Sequence, residues 1–266
     1  MVKERIDVLL VEKGLFETRE KAKRSIMAGL VFVEQEKVIK PGEKVDVNKK
    51  ISVKGNNCPY VSRGGYKLAQ ALKTFNLSVD NKIMLDIGAS TGGFTDCALQ
   101  NGAKLVYALD VGYNQLDWKL RINKKVISIE RCNFRYATKA LFTNGIPEVA
   151  TIDVSFISLK IILPVLKSIL IENGDIIALI KPQFEAGKEQ VGKKGIIKDK
   201  KVHIEVINNI IHFCQDLGLL VLDLTYSPIK GTEGNSEFLI HLKNSPLNDH
   251  QQIDIIDIVN KAHDLK

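Results

Sequence analysis

The sequence predicts a doubly wound α/β domain with a seven-stranded mixed sheet, preceded by a small basic α+β unit. Three observations carry this. Strand-length apolar runs alternate with helical periodicity from residue 82 onward, a glycine-rich turn follows the first of those runs, and the first quarter of the chain holds only short elements among many cations. With 266 residues and 45% hydrophobic content, the chain can bury one full core and a second small one. The expected boundary lies where Asn56-Asn57-Cys58-Pro59 breaks the periodicity, giving domains 1–58 and 59–266.

In the small unit, Ile6, Leu9 and Leu10 share one face of a helix over 5–13 that Gly14 ends. Thr18 can cap a second helix, 19–28, with Ala22 and Ile26 turned inward and Arg19, Lys21, Lys23 and Arg24 turned to solvent. Short β-type runs follow at 30–33, 37–39 and 51–53, punctuated by Pro41-Gly42. Residues 1–65 hold 14 Lys/Arg against 9 Asp/Glu, so +5 of the whole chain's net +7 sits in one quarter of its length. Such a surplus suits a polyanion, nucleic acid or an acidic membrane, although a plainly solvated surface is the commoner origin of mild basicity. Four cations on one short rigid helix can meet several phosphates at once, which favours nucleic acid.

These residues resemble the S-four-like RNA-binding domain: Arg5-Ile6-Asp7-Val8-Leu9-Leu10, Thr18-Arg19-Glu20-Lys21-Ala22, Ile26-Met27-Ala28-Gly29, Val31-Phe32-Val33 and Val38-Ile39-Lys40-Pro41-Gly42. The resemblance covers about residues 1–54. It implies binding of structured RNA through shape and phosphates, with Arg5, Arg19, Lys21, Lys23 and Arg24 as contacts.

In the larger unit, strands are expected at 83–87, 105–109, 126–129, 149–153, 175–180, 219–225 and 238–242. About a dozen residues containing Pro228, Gly231 and Gly234, without helical pattern, join the last two, so the seventh strand is expected to return antiparallel. That ending separates methyltransferases from dinucleotide-binding folds. The first strand runs into Asp86-Ile87-Gly88-Ala89-Ser90-Thr91-Gly92-Gly93-Phe94, which is neither GxGxxG nor a P-loop. Its form is that of S-adenosylmethionine-binding turns, and it nominates Asp86, Gly88, Ser90, Thr91, Gly92, Gly93 and Phe94 as cofactor contacts. Asp110, ending the second strand, can accept from ribose hydroxyls or cap the next turn, since Gly112 and Asn114 follow. Asn133, after the third strand, falls where adenine is usually held, or in an ordinary loop.

After strand four the chain reads Asp153-Val154-Ser155-Phe156, not the [DN]PP[YF] of amino-group methylators, and neither Cys132 nor Cys214 follows a proline as a cytosine-attacking thiol would. An oxygen acceptor is the better candidate. A ribose hydroxyl then needs a base and a clamp, and a lysine can be that base only when a second ammonium or burial favours its neutral form. Lys181, Asp153 and Glu237 stand at strand ends, and Lys67 on the helix opening the domain. Singly, each reads equally as a solvent-facing charge or a cap.

Together with Ser62-Arg63-x-x-Tyr66-Lys67-Leu68, Ile180-Lys181-Pro182-Gln183-Phe184-Glu185 and Gly234-Asn235-Ser236-Glu237-Phe238-Leu239, they resemble the FtsJ-like ribose methyltransferases. With the N-terminal unit attached, the chain is similar to the TlyA family, also known as hemolysin A, over residues 1–243. The resemblance implies a Rossmann-like class I methyltransferase fold, S-adenosyl-L-methionine as cofactor, and 2′-O-methylation of cytidine in ribosomal RNA. It also implies a Lys67, Asp153, Lys181, Glu237 tetrad in which Lys181 is the base, Asp153 its electrostatic partner and cofactor neighbour, and Lys67 with Glu237 orients the ribose. Arg63 and Lys188 join the expected RNA contacts, Lys188 within a lysine-rich 182–199 segment that is either a lid or a solvated loop. Ile253, Ile256 and Val259 suggest a closing helix.

Four scattered cysteines without CxxC or histidine at ligand spacing predict no metal and a reducing compartment. The longest apolar run, 161–171, is broken by Pro164 and Lys167 and falls short of the roughly 18–20 residues a membrane span needs. A cytoplasmic protein is expected. Competing readings are an RNA-binding ribosome-assembly factor without activity, which would have lost the glycine turn or a lysine, a membrane-acting hemolysin, and a small-metabolite methyltransferase, against which the basic helix speaks.

Overall fold

A computed structural model describes residues 3–16, 18–53, 58–192, 195–231, 234–245 and 251–265. They form two compact units, Met1–Cys58 and Pro59–Lys266. In the first, β1 (Lys3–Arg5) leads into α1 (Ile6–Glu12) and α2 (Arg19–Met27), followed by β2 (Val31–Val33), β3 (Glu36–Val38), β4 (Lys44–Asp46) and β5 (Ile51–Val53). The Thr18 hydroxyl oxygen accepts the Lys21 N–H at 3.3 Å, starting α2 as expected. Ile6, Leu9, Leu10, Ala22 and Ile26 pack on Val31, Val33, Val38 and Val45. Strands β2, β3 and β5 pair antiparallel, and β1 pairs with β4. The β1–β4 pair was not expected, because three-residue strands among charged residues leave only Val45 as an inward signal.

The second unit holds α3 (Gly64–Thr74), β6 (Ile83–Ile87), α4 (Gly93–Gln100), β7 (Leu105–Leu109), α5 (Trp118–Arg121), β8 (Val126–Ile129), β9 (Val149–Ile152), α6 (Leu159–Ile169), β10 (Asp175–Ile180), α7 (Pro182–Glu185), α8 (Lys200–Asp216), β11 (Leu220–Tyr226), β12 (Phe238–Lys243) and α9 (Ile255–Asp264). The seven-stranded sheet runs β11-β12-β10-β9-β6-β7-β8, with β12 antiparallel to both neighbours. Alternate residues face opposite layers. Leu85, Ile87, Ile176 and Ala178 pack with α6 and α8, whereas Met84, Ile177 and Leu179 pack with α3 and α4.

Register decides what meets at the carboxyl edge. Ile87 lies opposite Ile152, so Gly88 and Asp153 leave the sheet side by side. Ile180 lies opposite Phe238, and because β12 is antiparallel, Lys181 and Glu237 leave at that same edge. An antiparallel last strand is therefore what brings a residue at the start of a strand to a site built from strand ends.

Candidate active site

Helix α3 presents Lys67 to this edge. Its Nζ donates to Glu237 Oε2 at 2.7 Å and to Asp153 Oδ2 at 3.2 Å. The other oxygen of Asp153, Oδ1, lies 2.6 Å from Lys181 Nζ, which also donates to Ser155 Oγ at 3.1 Å. The four residues expected from α3, β9, β10 and β12 thus meet in one continuous row, Glu237–Lys67–Asp153–Lys181.

Burial alone would weaken the Lys67 ammonium, but Asp153 and Glu237 together outweigh it and raise its pKa above the ordinary value. Burial likewise works against the charged form of Asp153, and the two ammoniums overcome it and hold that carboxyl below its ordinary value. Lys67 is therefore locked as a cation between two carboxylates. Its raised pKa suits it to donate and orient rather than to accept a proton.

The glycine turn forms the floor. Gly88 has φ +84°, and a Cβ there would lie 2.5 Å from the Asp153 carbonyl oxygen, so glycine alone permits this approach of turn and strand end. Gly93 serves packing: its Cβ would lie 2.9 Å from the Gly65 nitrogen, so it lets α4 start against the start of α3. Ser90 sits at φ +49°, and its N–H donates to Asp110 Oδ2 at 2.8 Å, while Gly112 N–H donates to Oδ1 at 2.7 Å. Asp110 thus fastens two loops, as the capping alternative anticipates, and each of its oxygens retains a further lone pair for a hydroxyl. Asp86 lies under the turn. It accepts from Thr95 Oγ1 at 2.7 Å and Thr151 Oγ1 at 3.1 Å, and burial pushes its pKa up to about 6 against those two hydroxyls. Phe94 is likewise buried, in the core beneath α4.

Two adjoining clefts open over this floor. One, of about 270 Å³, is lined by Ser62, Arg63, Lys67, Asp86, Ser90, Thr91, Phe94, Asp153, Ser155, Lys181, Ile229, Lys230 and Glu237. The other, of about 400 Å³, is mainly apolar, with Ile87, Leu109, Cys132, Phe134, Val154, Ile157 and Ile162 beside Asp110 and Asn133. Gly88, Ser90, Asp153 and Ser155 border both. Asn133 Oδ1 also accepts the Arg135 N–H at 3.1 Å, capping a short 3-10 turn. Two clefts that share Gly88, Ser90, Asp153 and Ser155, one charged and the other mainly apolar, suit an elongated nucleoside whose amino-acid tail is charged and whose base is flat, as S-adenosylmethionine is.

Of the expected RNA-binding residues, Arg63 borders the charged cleft. Arg5 and Arg19 lie in the first unit, both on the buried Asp7 carboxylate: Arg5 Nε at 3.0 Å and Arg19 Nη2 at 2.8 Å. Lys23 pairs with Glu20 at 2.8 Å, and Lys21 and Arg24 are exposed. The Lys188 side chain lies outside the described residues.

Sequence reasoning missed the clamp around Lys181. Glu185, one turn further on, accepts from Ser158 Oγ at 2.6 Å and from the Leu159 N–H at 2.7 Å, tying α7 to the start of α6. Phe184 lies against Phe156, ring centroids 5.0 Å apart, and Phe156 is 90% exposed in the left-handed region at φ +63°. Asn235 holds the 195–197 segment, accepting the Ile197 N–H at 3.0 Å and donating to the Gly195 carbonyl at 2.8 Å. The only sequence signal for these residues is their place within the quoted motifs.

The FtsJ-like methyltransferase family model matches residues 60–244 and the S4 domain model residues 4–51. Bacillus subtilis YqxC is 62% identical over 240 residues, covering 90% of this chain and 85% of that protein. The Mycobacterium tuberculosis 16S/23S rRNA (cytidine-2′-O)-methyltransferase TlyA is 38% identical over 240 residues, covering 90% of this chain and 89% of its own length. A solved Streptococcus thermophilus structure described as a hemolysin superposes with a TM-score of 0.77 at 54% identity, covering 99% of this chain and 96% of that one. The chain belongs to the FtsJ-like methyltransferases, in the TlyA and hemolysin A group that carries an N-terminal S4 domain.

Proposed function

We propose that this protein is a cytoplasmic S-adenosylmethionine-dependent methyltransferase acting on the 2′-hydroxyl of a cytidine in ribosomal RNA. The observation that carries this reading is the Asp153 carboxylate shared between two buried ammoniums beside a glycine turn, with Glu237 completing the row. The rRNA cytidine activity of the M. tuberculosis relative and the S4 domain support the substrate class.

The 88–93 turn, Asp110 and Asn133 would hold the cofactor, which supplies an electrophilic methyl group. Lys181 Nζ, once it has released to solvent the proton it holds against Asp153, takes the proton from the 2′-hydroxyl as the oxygen attacks, and returns to an ammonium stabilised by Asp153 Oδ1. Lys67 Nζ, fixed as a cation by Glu237 and Asp153, donates to the ribose and holds the attacking oxygen in line. Ser155 and the clamped α7 turn keep Lys181 from swinging out. Phe156, exposed at the cleft mouth and backed by Phe184, offers a flat face on which the target base can stack once unstacked from the RNA.

The test is incubation with ribosomal subunits and methyl-labelled cofactor, then digestion of the RNA to nucleosides. Label is expected on ribose and absent in Lys181→Ala. Label on a base would overturn the mechanism, and no label on any RNA would leave the chain an RNA-binding protein. The hemolysin name of some relatives suggests membranes, but no helix among the described residues is long and apolar enough to cross one.

A further inference from the structure

Gln115 stands on the loop that follows β7 and borders the apolar cleft, and the proposed reaction gives it no part. We propose that Gln115 is a cofactor-positioning residue, its side-chain amide donating to a ribose hydroxyl whose own proton goes to Asp110, so that the pair recognises the cofactor's diol. The assignment rests on the reading of the two clefts as the seat of S-adenosylmethionine, and it names the group that would fix the cofactor's sugar.

The loop is braced and the Gln115 side chain is left over. The Arg131 N–H donates to the Gly112 carbonyl at 3.0 Å and the Cys132 N–H to the Asp110 carbonyl at 3.0 Å, which ties the start of the loop to the end of β8. Asn114 sits at φ +57°, and its N–H donates to Glu130 Oε1 at 2.9 Å. Leu116 is buried with Leu120, and the Asp117 N–H donates to the Thr91 carbonyl of the glycine turn at 3.2 Å. Gln115 is therefore held by its neighbours on both sides. Its own side chain is exposed, and its amide takes no hydrogen bond among the described residues.

Gly112 shows where that amide lies. A Cβ on Gly112 would stand 2.1 Å from Gln115 Nε2 and 3.1 Å from Asp110 Oδ1, so the amide folds back across the loop beside the carboxylate, and a larger residue would displace it. Gln115 and Asp110 both line the apolar cleft.

The chemistry of the pair is complementary. Asp110 Oδ1 and Oδ2 already accept the Gly112 and Ser90 N–H groups, and a carboxylate offers acceptors alone. A ribose hydroxyl that gives its proton to Asp110 still has lone pairs to satisfy, and in a mainly apolar cleft an unmatched oxygen lowers affinity. The Gln115 amide supplies the N–H donors that Asp110 lacks. Its place beside Asp110 assigns it to the sugar rather than to the base.

The test is calorimetric, on the full chain, with S-adenosylhomocysteine, which binds without reacting, and with its 2′-deoxy and 3′-deoxy forms. Gln115→Ala should weaken S-adenosylhomocysteine by about 3- to 10-fold, the value of one hydrogen bond to a neutral partner. Gln115→Met, which keeps the length of the side chain and removes the amide, should lose as much. At least one deoxy form, lacking the hydroxyl that the amide serves, should bind wild type and both variants alike.

Equal binding of S-adenosylhomocysteine by wild type and both variants would overturn the assignment. So would wild-type affinity in Gln115→Met, because the side chain would then act only as apolar cover. The same loss with all three ligands would also overturn it, placing the amide on the base or the amino-acid tail. A wild-type protein that binds none of the three would remove the cofactor reading and this assignment together. Coupled losses in a protein that methylates no RNA would retire the proposed reaction and leave the role of Gln115 standing.

Discussion

Asp7 in the first unit and Asp153 in the second are each gripped by two cations within 3.2 Å, and the two sites differ in what water can reach. Asp7 is buried, yet the Arg5 and Arg19 side chains it holds are 44% and 50% exposed. Asp153 is held by Lys67 and Lys181, whose side chains are only 9% and 10% exposed. A guanidinium does not give up its proton, and an exposed pair of them, fixed by a hidden acid, presents a steady double charge suited to phosphates. An ammonium can lose its proton, and burial makes its charge depend on its partners. Under the proposed function, the same three-residue arrangement is an electrostatic handle in one unit and proton machinery in the other.

The largest way to break this comparison is Asp153→Asn. Removing the shared acid leaves Lys67 with Glu237 alone and the buried Lys181 ammonium facing a neutral amide, and stability should fall by about 3–5 kcal/mol in denaturant titration. A loss under about 1 kcal/mol, the value of a surface pair, would mean that the site is wetter than its exposure indicates. Next comes Glu185→Ala, which unties the turn bearing Lys181. Methyl transfer should slow by up to about 100-fold while KM for RNA hardly moves, as expected when a reacting group drifts by about 1 Å. A change in KM alone would assign Glu185 to substrate binding instead.

Smaller effects sharpen the other side. Arg5→Ala or Arg19→Ala should weaken RNA binding while kcat stays near wild type, and the slope of log affinity against log salt should shrink by about 1 for each phosphate that is no longer neutralised. The acid beneath them should show in pH-dependent unfolding. The Arg5 hydrogen bond, together with Arg19, outweighs burial and lowers the Asp7 pKa from 3.8 to about 2. The stability it contributes is therefore present above pH 3.8 and lost as pH falls toward 2, a dependence that Asp7→Asn should remove. Asp86 runs the opposite way. Its pKa is raised to about 6, so its contribution is greatest below pH 3.8 and is lost as pH rises through 6, and Asp86→Asn should flatten that window in a thermal melt.

Much of this is legible in the sequence because its signals are local or repeated. Buried parallel strands such as Asp175–Ile180 read as unbroken apolar runs, and the glycine turn and Thr18 cap lie within a few residues of what they serve. The tetrad is legible only as a resemblance: Lys67 and Glu237 stand 170 positions apart, and no periodicity links them. What stays hidden depends on partners far along the chain. Glu185 caps a helix that begins 26 residues earlier, and Asn235 holds a segment some 40 residues away. The display of the Tyr113, Trp118 and Tyr136 rings is hidden too, because large rings are as often buried as exposed and exposure is not written in residue type.

The central claim is that Lys181 moves the proton while Lys67 stays charged, and arginine tests it because a guanidinium cannot act as the base. Single-turnover methyl transfer to ribosomal RNA would be compared for wild type, Lys67→Arg and Lys181→Arg, with cofactor affinity checked by calorimetry. The account predicts a loss of about 10²- to 10⁴-fold for Lys181→Arg and a much smaller one for Lys67→Arg. Near-wild-type transfer by Lys181→Arg, or a greater loss in Lys67→Arg, would contradict it.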